Sequence, residues 1–246
     1  MEKKITWETR RRFAYVNDRL CPDVVRGLVL EFPGLGGMAM YEDETESGRY
    51  YAERGILFAI PYNNPWSWMN RQAVDYTDEV VSVLTARYGE KGKLPLVATG
   101  GSMGGQSALV YTRYAAQTPC ACVVNCPVCD LPYHYTERPD LPRTLYSAFY
   151  HEPGSLTEAM EKASPLHLAL AGQMPDIPYS VFHCEADRAV DIDRHSARFV
   201  GELRRRGYTV MYETVPDRGH CDLTEEAAAR YRAAVCDAIA QTTGTP

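Results

Sequence analysis

The sequence lacks any long hydrophobic run and any excess of positive charge. No segment approaches the roughly 18 uninterrupted apolar residues of a membrane-spanning helix, and no apolar stretch follows Lys3 and Lys4 as it would in a secretory signal. The 26 basic residues are outnumbered by 32 acidic ones, so the net charge is −6, which argues against a nucleic-acid-binding surface. We therefore expect a cytoplasmic protein with neither membrane nor nucleic acid as a partner.

Disulfide bonds are not expected either, although the chain contains eight cysteines. Without a secretory signal, the thiols should remain reduced. Cys126 and Cys129 have the C-x-x-C spacing of zinc ligands, but Cys122 and Cys126 lie in an apolar run, 121–128, which is typical of a buried strand. In such strands thiols pack as small hydrophobic side chains. We favour structural thiols over a zinc site, and we expect no metal and no organic cofactor.

Apolar runs alternate with segments of helical periodicity along the chain, and repeats and low-complexity tracts are absent. Strands are predicted at 5–16, 25–32, 56–60, 94–98, 121–126, 180–184 and 209–215. Helical patterns cover 73–88, 108–115, 197–203 and 231–239. This alternation predicts an α/β fold with a mostly parallel central sheet flanked by helices. The length of 246 residues fits a single domain over 1–246.

The segment 130–176 departs from this alternation because it is rich in proline, tyrosine and histidine, with only a weak helical stretch near 155–162. It is typical of an insertion. Leaving the carboxyl edge of the sheet, where ligands bind in open α/β folds, it could form a small cap over a pocket. The alternative is a long surface connection that contacts no substrate.

A glycine-rich turn follows the predicted strand 94–98 and contains Ser102 in the pentapeptide Gly100–Gly104. This G-x-S-x-G pattern after a strand is typical of a nucleophile elbow, where small neighbours are needed on a cramped strand-to-helix turn. The alternative is a glycine-rich turn with an incidental serine. A nucleophilic serine also needs a histidine as base and a carboxylate that orients the histidine.

His220 and Asp187 are the best candidates for those two roles. His220 lies in a turn after the predicted strand 209–215, and Asp187 follows the strand 180–184. His183 lies inside a predicted strand and His195 on a predicted surface helix, which makes both less suitable. The resulting order, Ser102, Asp187, His220, is the order of an α/β-hydrolase catalytic triad.

The loop after the predicted strand 25–32 supplies a candidate oxyanion hole. By position, the backbone N–H groups of Leu35 and Met103 would point at the oxyanion of a tetrahedral intermediate. The same loop, 34–39, also fits the dinucleotide pattern G-x-G-x-x-A. That alternative is weak, because the next strand ends in Pro61 and Tyr62 rather than in an acidic residue.

These features together resemble the α/β-hydrolase superfamily over nearly the whole chain, and best its prolyl oligopeptidase-like and acetyl xylan esterase-like branch. The resemblance is carried by the glycine-flanked serine in 100–105, by Ala163-Ser164-Pro165, and by the D-x-x-V pattern at 187–190. It implies an α/β-hydrolase fold with a Ser102, Asp187, His220 triad. Because no propeller precedes the catalytic domain, the resemblance favours small esters over peptides.

Two tryptophans, Trp66 and Trp68, follow the predicted strand 56–60 and should lie near the same sheet edge as the triad. With Tyr133 of the segment 130–176 they could bind a sugar or an aryl acyl group; alternatively the tryptophans anchor their loop onto a helix. The sequence predicts a serine hydrolase that cleaves a small-molecule or carbohydrate ester through an acyl-enzyme. A prolyl oligopeptidase-like peptidase, a thioesterase and a non-catalytic binding protein are the alternatives.

Overall fold

A seven-stranded sheet forms the centre of the protein in the computed structural model, which describes residues 5–91 and 93–244. The strand order is β1-β3-β2-β4-β5-β6-β7; β1 is antiparallel to β3, and every other neighbouring pair is parallel. The strands are Ala14–Val16 (β1), Gly27–Phe32 (β2), Ile56–Pro61 (β3), Leu96–Gly101 (β4), Ala121–Asn125 (β5), Tyr179–Cys184 (β6) and Val210–Val215 (β7). The predicted, mostly parallel α/β sheet is confirmed.

Helices connect the strands, and several begin at a polar cap. Asn70, Asp130 and Thr224 each accept a hydrogen bond from a backbone N–H in the first turn of the helix that follows. The helices are Glu46–Ala52 (α1), Arg71–Tyr88 (α2), Met103–Tyr114 (α3), Leu131–Glu137 (α4), Leu141–Phe149 (α5), Leu156–Lys162 (α6), Pro165–Leu170 (α7), Ser196–Arg205 (α8) and Glu225–Thr243 (α9). Within the described ranges, no helix is both long and apolar enough to cross a membrane.

Both faces of the sheet are buried, because successive strand side chains point to opposite helical layers. On β2, Leu28 and Leu30 belong to a hydrophobic cluster shared with α2, α3 and α8. Val29, between them, packs in a second cluster with Tyr51 of α1 and Val235 of α9. This two-sided burial explains why the parallel strands appear in the sequence as continuous apolar runs.

The first predicted strand, 5–16, is wrong in its extent: only Ala14–Val16 is a strand, and Arg10–Arg12 forms a 3-10 turn. The guanidinium groups of Arg10 and Arg11 both pair with the carboxylate of Asp18. Those ion pairs fold the arginine segment back toward the residues after β1. Apolar residues on either side of the arginines had suggested one continuous strand.

The segment 130–176 forms four helices, α4 to α7, where only a helix near 155–162 had been expected. Its helices have a buried cluster of their own, made of Leu131, Leu141, Leu145, Phe149 and Met160 with neighbouring residues. Trp68 and Met103 belong to the same cluster. The segment therefore packs onto the start of α3, next to Ser102. Its action as a cap over bound substrate stays a prediction.

Candidate active site

Ser102 occupies a strained turn between β4 and α3. Its backbone dihedrals are φ 58° and ψ −125°, a region that costs a non-glycine residue about 1–3 kcal/mol. The turn is held by the Ser102 N–H, which donates to Asn125 O at 3.0 Å. A Cβ on Gly104 would lie 1.9 Å from Phe32 O, and one on Gly100 would lie 2.4 Å from Gly104 O. Glycine is therefore required there, as a nucleophile elbow predicts.

Asp187 and His220 meet at the same edge of the sheet. Asp187 follows β6 and His220 follows β7, and His220 Nδ1 donates to Asp187 Oδ2 at 2.6 Å. The other carboxylate oxygen accepts the N–H groups of Ala189 and Val190 at 2.8 and 3.0 Å. The Asp187 side chain has no exposed surface, whereas that of His220 is 28% exposed. A fixed carboxylate thus orients an accessible imidazole.

The turn of Ser102 lies beside this imidazole. Asn125 O, which accepts the Ser102 N–H, is 3.7 Å from the sulfur of Cys221, the residue after His220. That sulfur is in turn 3.8 Å from His220 Nε2. The Ser102 hydroxyl forms no hydrogen bond with any residue that the structure describes. Catalytic hydrogen bonds are often long or misaligned before substrate binds, so this geometry is compatible with a nucleophile and its base.

Asp187 and His220 each stabilise the charged form of the other. Burial alone would raise the pKa of Asp187, but hydrogen bonds from His183, His220 and the N–H groups of Val190 and Ala189 outweigh it and hold that pKa far below its ordinary value. Burial alone would lower the pKa of His220, but the hydrogen bond and charge of Asp187 raise it above the usual 6.5. Asp187 is therefore an anion throughout the physiological range, and it stabilises the imidazolium.

His183 is a site residue that the sequence reasoning missed. Its Nε2–H donates to Val190 O at 3.1 Å and lies 3.4 Å from Asp187 Oδ2, and its side chain is fully buried. His183 had been assigned to packing because it lies inside β6. The sequence did contain a signal for this contact. His183 stands four residues before Asp187, a spacing that lets the chain turn back after β6 and bring the two side chains together.

The loop after β2 lies against the elbow. A Cβ placed on Gly34 would be 3.9 Å from Ser102 Cβ, and the Gly36 N–H donates to Pro65 O at 3.0 Å. Among the described residues, neither the Leu35 N–H nor the Met103 N–H donates a hydrogen bond to another protein group. Two unpaired donors therefore flank Ser102, as the first turn of a helix and a neighbouring loop can provide.

The three predicted substrate-binding residues differ in accessibility. Trp68 is fully buried, and its Nε1–H donates to Thr144 Oγ1 of α5 at 3.1 Å. Its assignment to substrate binding is wrong in this structure, because the indole anchors its loop onto the helical segment instead. Trp66 is 38% exposed, with the guanidinium of Arg143 5.3 Å from its ring. Tyr133, on α4, is half-buried.

A second histidine–carboxylate cluster lies in segment 130–176 and has the donor types of a metal site. The Glu137 carboxylate accepts hydrogen bonds from His134 Nδ1 and His195 Nε2. His195 Nδ1 accepts the N–H groups of Cys129 and Asp130 at 3.0 and 3.1 Å. Each of these contacts already uses a nitrogen or oxygen that a metal would need. We therefore assign this cluster a structural role.

A cavity of about 380 Å³ opens between α2, α3, α5 and α6. Met69, Val74, Tyr114, Phe149 and Lys162 are among the residues that line it. Neither the elbow nor the two residues Asp187 and His220 contribute to its walls. The cavity is thus separate from the edge of the sheet where those three side chains converge.

Comparison with known proteins places this arrangement in a family. The sequence profile of the prolyl oligopeptidase family matches residues 67–243, well over half of the chain, and includes Ser102, Asp187 and His220. The chain belongs to the prolyl oligopeptidase family. The family and the observed sheet agree with the α/β-hydrolase fold that the sequence had predicted. A search of curated protein sequences finds no match.

Solved structures with the same fold include both peptidases and esterases. A puromycin-hydrolysing peptidase from Mycobacterium tuberculosis superposes with a TM-score of 0.72 at 20% identity, over 95% of this chain and 37% of that one. A thermophilic esterase from Thermogutta terrifontis gives a TM-score of 0.64 at 17% identity, over 93% of this chain and 87% of the esterase. An S-formylglutathione hydrolase from Agrobacterium tumefaciens gives a TM-score of 0.67 at 12% identity, over 92% of this chain and 87% of the hydrolase. This chain spans little more than a third of the peptidase.

Proposed function

We propose that this member of the prolyl oligopeptidase family hydrolyses carboxylic esters of small molecules or decorated carbohydrates through an acyl-enzyme. The observation that carries the proposal is the convergence of a strained serine turn with a histidine already oriented by a buried carboxylate, each following a different strand of one sheet edge. A serine alcohol needs such a base because its free hydroxyl is a weak nucleophile at neutral pH.

In the first half of the reaction, His220 Nε2 accepts the Ser102 proton while Ser102 Oγ attacks the ester carbonyl. Asp187 keeps the proton on Nδ1 and stabilises the imidazolium that forms. The N–H groups of Leu35 and Met103 would receive the developing oxyanion, where one such donor contributes about 100- to 1,000-fold in rate. The alcohol then leaves with the proton held by His220.

In the second half, His220 accepts a proton from water, and the resulting hydroxide attacks the acyl-enzyme carbonyl. The acid product leaves as the proton returns to Ser102. Trp66 and Tyr133, both partly exposed, are proposed to contact the acyl or alcohol group. Their rings offer apolar area with a polar edge, which suits a sugar or an aryl group. This chemistry requires no cofactor.

Ester hydrolysis is the first candidate because an esterase is among the solved structures that share this fold over most of the chain. An ester also has a better leaving group than an amide, so its hydrolysis demands less of an acyl-transfer site. Peptide hydrolysis is the second candidate, because the family profile itself is that of prolyl oligopeptidases.

The decisive experiment compares the native chain with Ser102→Ala. A fluorophosphonate probe should label the native protein at Ser102 and leave the variant unlabelled, and the variant should lose activity on activated esters by about six orders of magnitude with unchanged thermal unfolding. A variant that hydrolyses esters at the native rate would refute the proposal.

A panel of acetyl, feruloyl, longer acyl, thioester and aminoacyl substrates then identifies the substrate class. A preference for aminoacyl amides would favour peptide hydrolysis over ester hydrolysis.

A further inference from the structure

Two cysteine thiols lie beside the imidazole of His220. Cys126 follows β5 and is fully buried, and Cys221 follows His220 and is half-buried. Cys221 Sγ is 3.8 Å from His220 Nε2, and both sulfurs and a ring nitrogen of His220 lie within 4.8 Å of one another. In the sequence, Cys126 and Cys129 have the C-x-x-C spacing of zinc ligands, although structural thiols were favoured there. The structure instead groups Cys126 with the β7 turn, because loops after β5 and β7 meet at the sheet edge.

The backbone holds these sulfurs in place. Cys126 and Cys221 both have left-handed backbone conformations, with φ of 44° and 57°, which few non-glycine residues adopt. The N–H groups of Cys184 and Cys221 point at the Cys126 sulfur, at 3.3 and 3.4 Å. The hydrogen bond with the Cys221 thiol and burial nevertheless raise the pKa of Cys126, so its sulfur carries a proton until a metal displaces it. The strained turns thus position a sulfur pair rather than two independent thiols.

The imidazole is equally well placed to act as a ligand. His220 Nδ1–H donates to Asp187, which leaves Nε2 as the nitrogen with an available lone pair. A carboxylate behind a histidine is the usual outer-shell arrangement of histidine metal ligands, and it fixes both the tautomer and the ring orientation. The donor set is then two sulfurs and one imidazole nitrogen, a combination that selects thiophilic cations such as Zn²⁺.

We propose that Cys126, His220 and Cys221 form an inhibitory site for a thiophilic divalent cation such as Zn²⁺. This inference rests on the proposed function, because the bound metal would occupy the Nε2 lone pair that must accept the Ser102 proton. The enzyme would be active without metal and inactive with it. Removal of the metal by a chelator would free His220 Nε2 to accept the Ser102 proton again.

The geometry and the charge balance suit such a centre. Zinc–sulfur bonds of about 2.3 Å and zinc–nitrogen bonds of about 2.0 Å place sulfur and nitrogen about 3.5 Å apart in a tetrahedral site, so the metal would draw these two atoms together by about 0.3 Å. The separation between Cys221 Sγ and His220 Nε2 is 3.8 Å. On binding, each thiol releases its proton to solvent, so that Zn²⁺ and two thiolates form a neutral unit. A neutral unit costs little to bury. Water can complete the fourth position on the exposed side of His220.

The first test measures binding without any reference to activity. The full chain, reduced and freed of metal, is titrated with Co²⁺, whose bonds to thiolates give charge-transfer absorption and tetrahedral visible bands. We expect both signals to saturate at one equivalent and to disappear when Zn²⁺ displaces Co²⁺. Cys221→Ser should lose the charge-transfer signal, and so should Cys126→Ser. Ser102→Ala should keep it, because the serine is not a ligand.

The second test measures inhibition by buffered Zn²⁺, with fluorophosphonate labelling of Ser102 as the readout. Zn²⁺ should slow labelling of the native protein, and EDTA should restore it. Cys221→Ser, with its labelling rate compared with its own metal-free rate, should need at least about tenfold more Zn²⁺ for the same fractional inhibition. Cys236→Ser is the matched control, since that half-buried thiol lies on α9. It should be inhibited like the native protein.

The outcomes separate the two proposals. Absence of the charge-transfer signal at stoichiometric Co²⁺ would overturn the metal site, and so would inhibition that is unchanged in both Cys126→Ser and Cys221→Ser. Equal loss of inhibition in Cys236→Ser would also overturn it. Failure of metal-free protein to react with the probe would instead refute the hydrolase function, while the absorption titration would still decide whether the cluster binds metal.

Discussion

Two carboxylates of this protein each contact two histidines. Asp187 contacts His183 and His220 at the sheet edge, and Glu137, at the end of α4, contacts His134 of the same helix and His195, which precedes α8. Each cluster therefore consists of one carboxylate and two histidines. Their surroundings differ in two respects: the partners of the ring nitrogens and the exposure of the imidazoles.

In the Glu137 cluster both histidine side chains are almost fully buried, and both nitrogens of His195 are hydrogen-bonded. In the Asp187 cluster, His183 is buried in the same way, but His220 is 28% exposed, and its Nε2 lies 3.8 Å from the Cys221 sulfur. A histidine can act as a base when one nitrogen is held by a carboxylate and the other remains accessible. The comparison therefore supports a structural role for Glu137 and the proposed catalytic role of Asp187.

Among the substitutions that test this comparison of the two clusters, Asp187→Asn has the largest expected effect. The amide cannot hold the proton on His220 Nδ1, so kcat/KM should fall by about four orders of magnitude. Stopped-flow or steady-state hydrolysis of an activated ester measures it. Asp191→Asn is the matched control, because Asp191 lies four residues away and its carboxylate accepts the Arg194 N–H on an exposed turn. Equal losses in both variants would contradict the assignment of Asp187.

The pH profile tests the same cluster in the native protein. His220 must be neutral to accept a proton, and the Asp187 carboxylate raises the pKa of His220 above the usual 6.5. With metal chelated, kcat/KM should therefore rise with increasing pH through a midpoint above 6.5. In Asp187→Asn the residual activity should have a lower midpoint, because the stabilising charge is gone. An identical midpoint in both proteins would show that Asp187 does not set the pKa of His220.

Glu137→Gln should affect folding rather than catalysis. Burial raises the pKa of Glu137, but hydrogen bonds from His134 and His195 outweigh it and lower that pKa from 4.5 to about 2. The stabilisation from the folded carboxylate is thus present above pH 4.5 and is lost as the pH falls toward 2. Urea unfolding at pH 7 should show a loss of about 3 kcal/mol, with kcat/KM within about threefold of native. A large loss of kcat/KM without a loss of stability would contradict the structural role of Glu137.

The smallest effects are expected from the two tryptophans. Trp68 packs against His134, with ring centroids 5.6 Å apart, and donates to Thr144. Trp68→Phe should lose this hydrogen bond and about 1 kcal/mol of stability, with KM unchanged. Trp66→Phe, the matched change at the exposed position, should leave thermal unfolding unchanged. It should alter KM for bulky esters by a few fold if Trp66 contacts substrate.

Much of the site was predictable because its residues follow strands. Apolar runs identify the strands, and parallel strands place their carboxyl ends at one edge, so Ser102, Asp187 and His220 could be assigned to a common edge before any coordinates. The roles of His183 and Trp68 were not predictable in the same way. Trp68 is positioned by Thr144, 76 residues along the chain, and His183 by the way the chain turns back after β6 to bring Val190 O to its ring.

The sequence by itself determined the parallel sheet, the elbow at Ser102 and the order of the three site residues, because periodicity and glycine requirements are local properties of the chain. Only the tertiary structure decided that Glu137 gathers two histidines and that Cys126 and Cys221 flank His220. Those contacts join residues 58 and 95 positions apart. They arise because separate loops and helices pack together, and no local pattern encodes that packing.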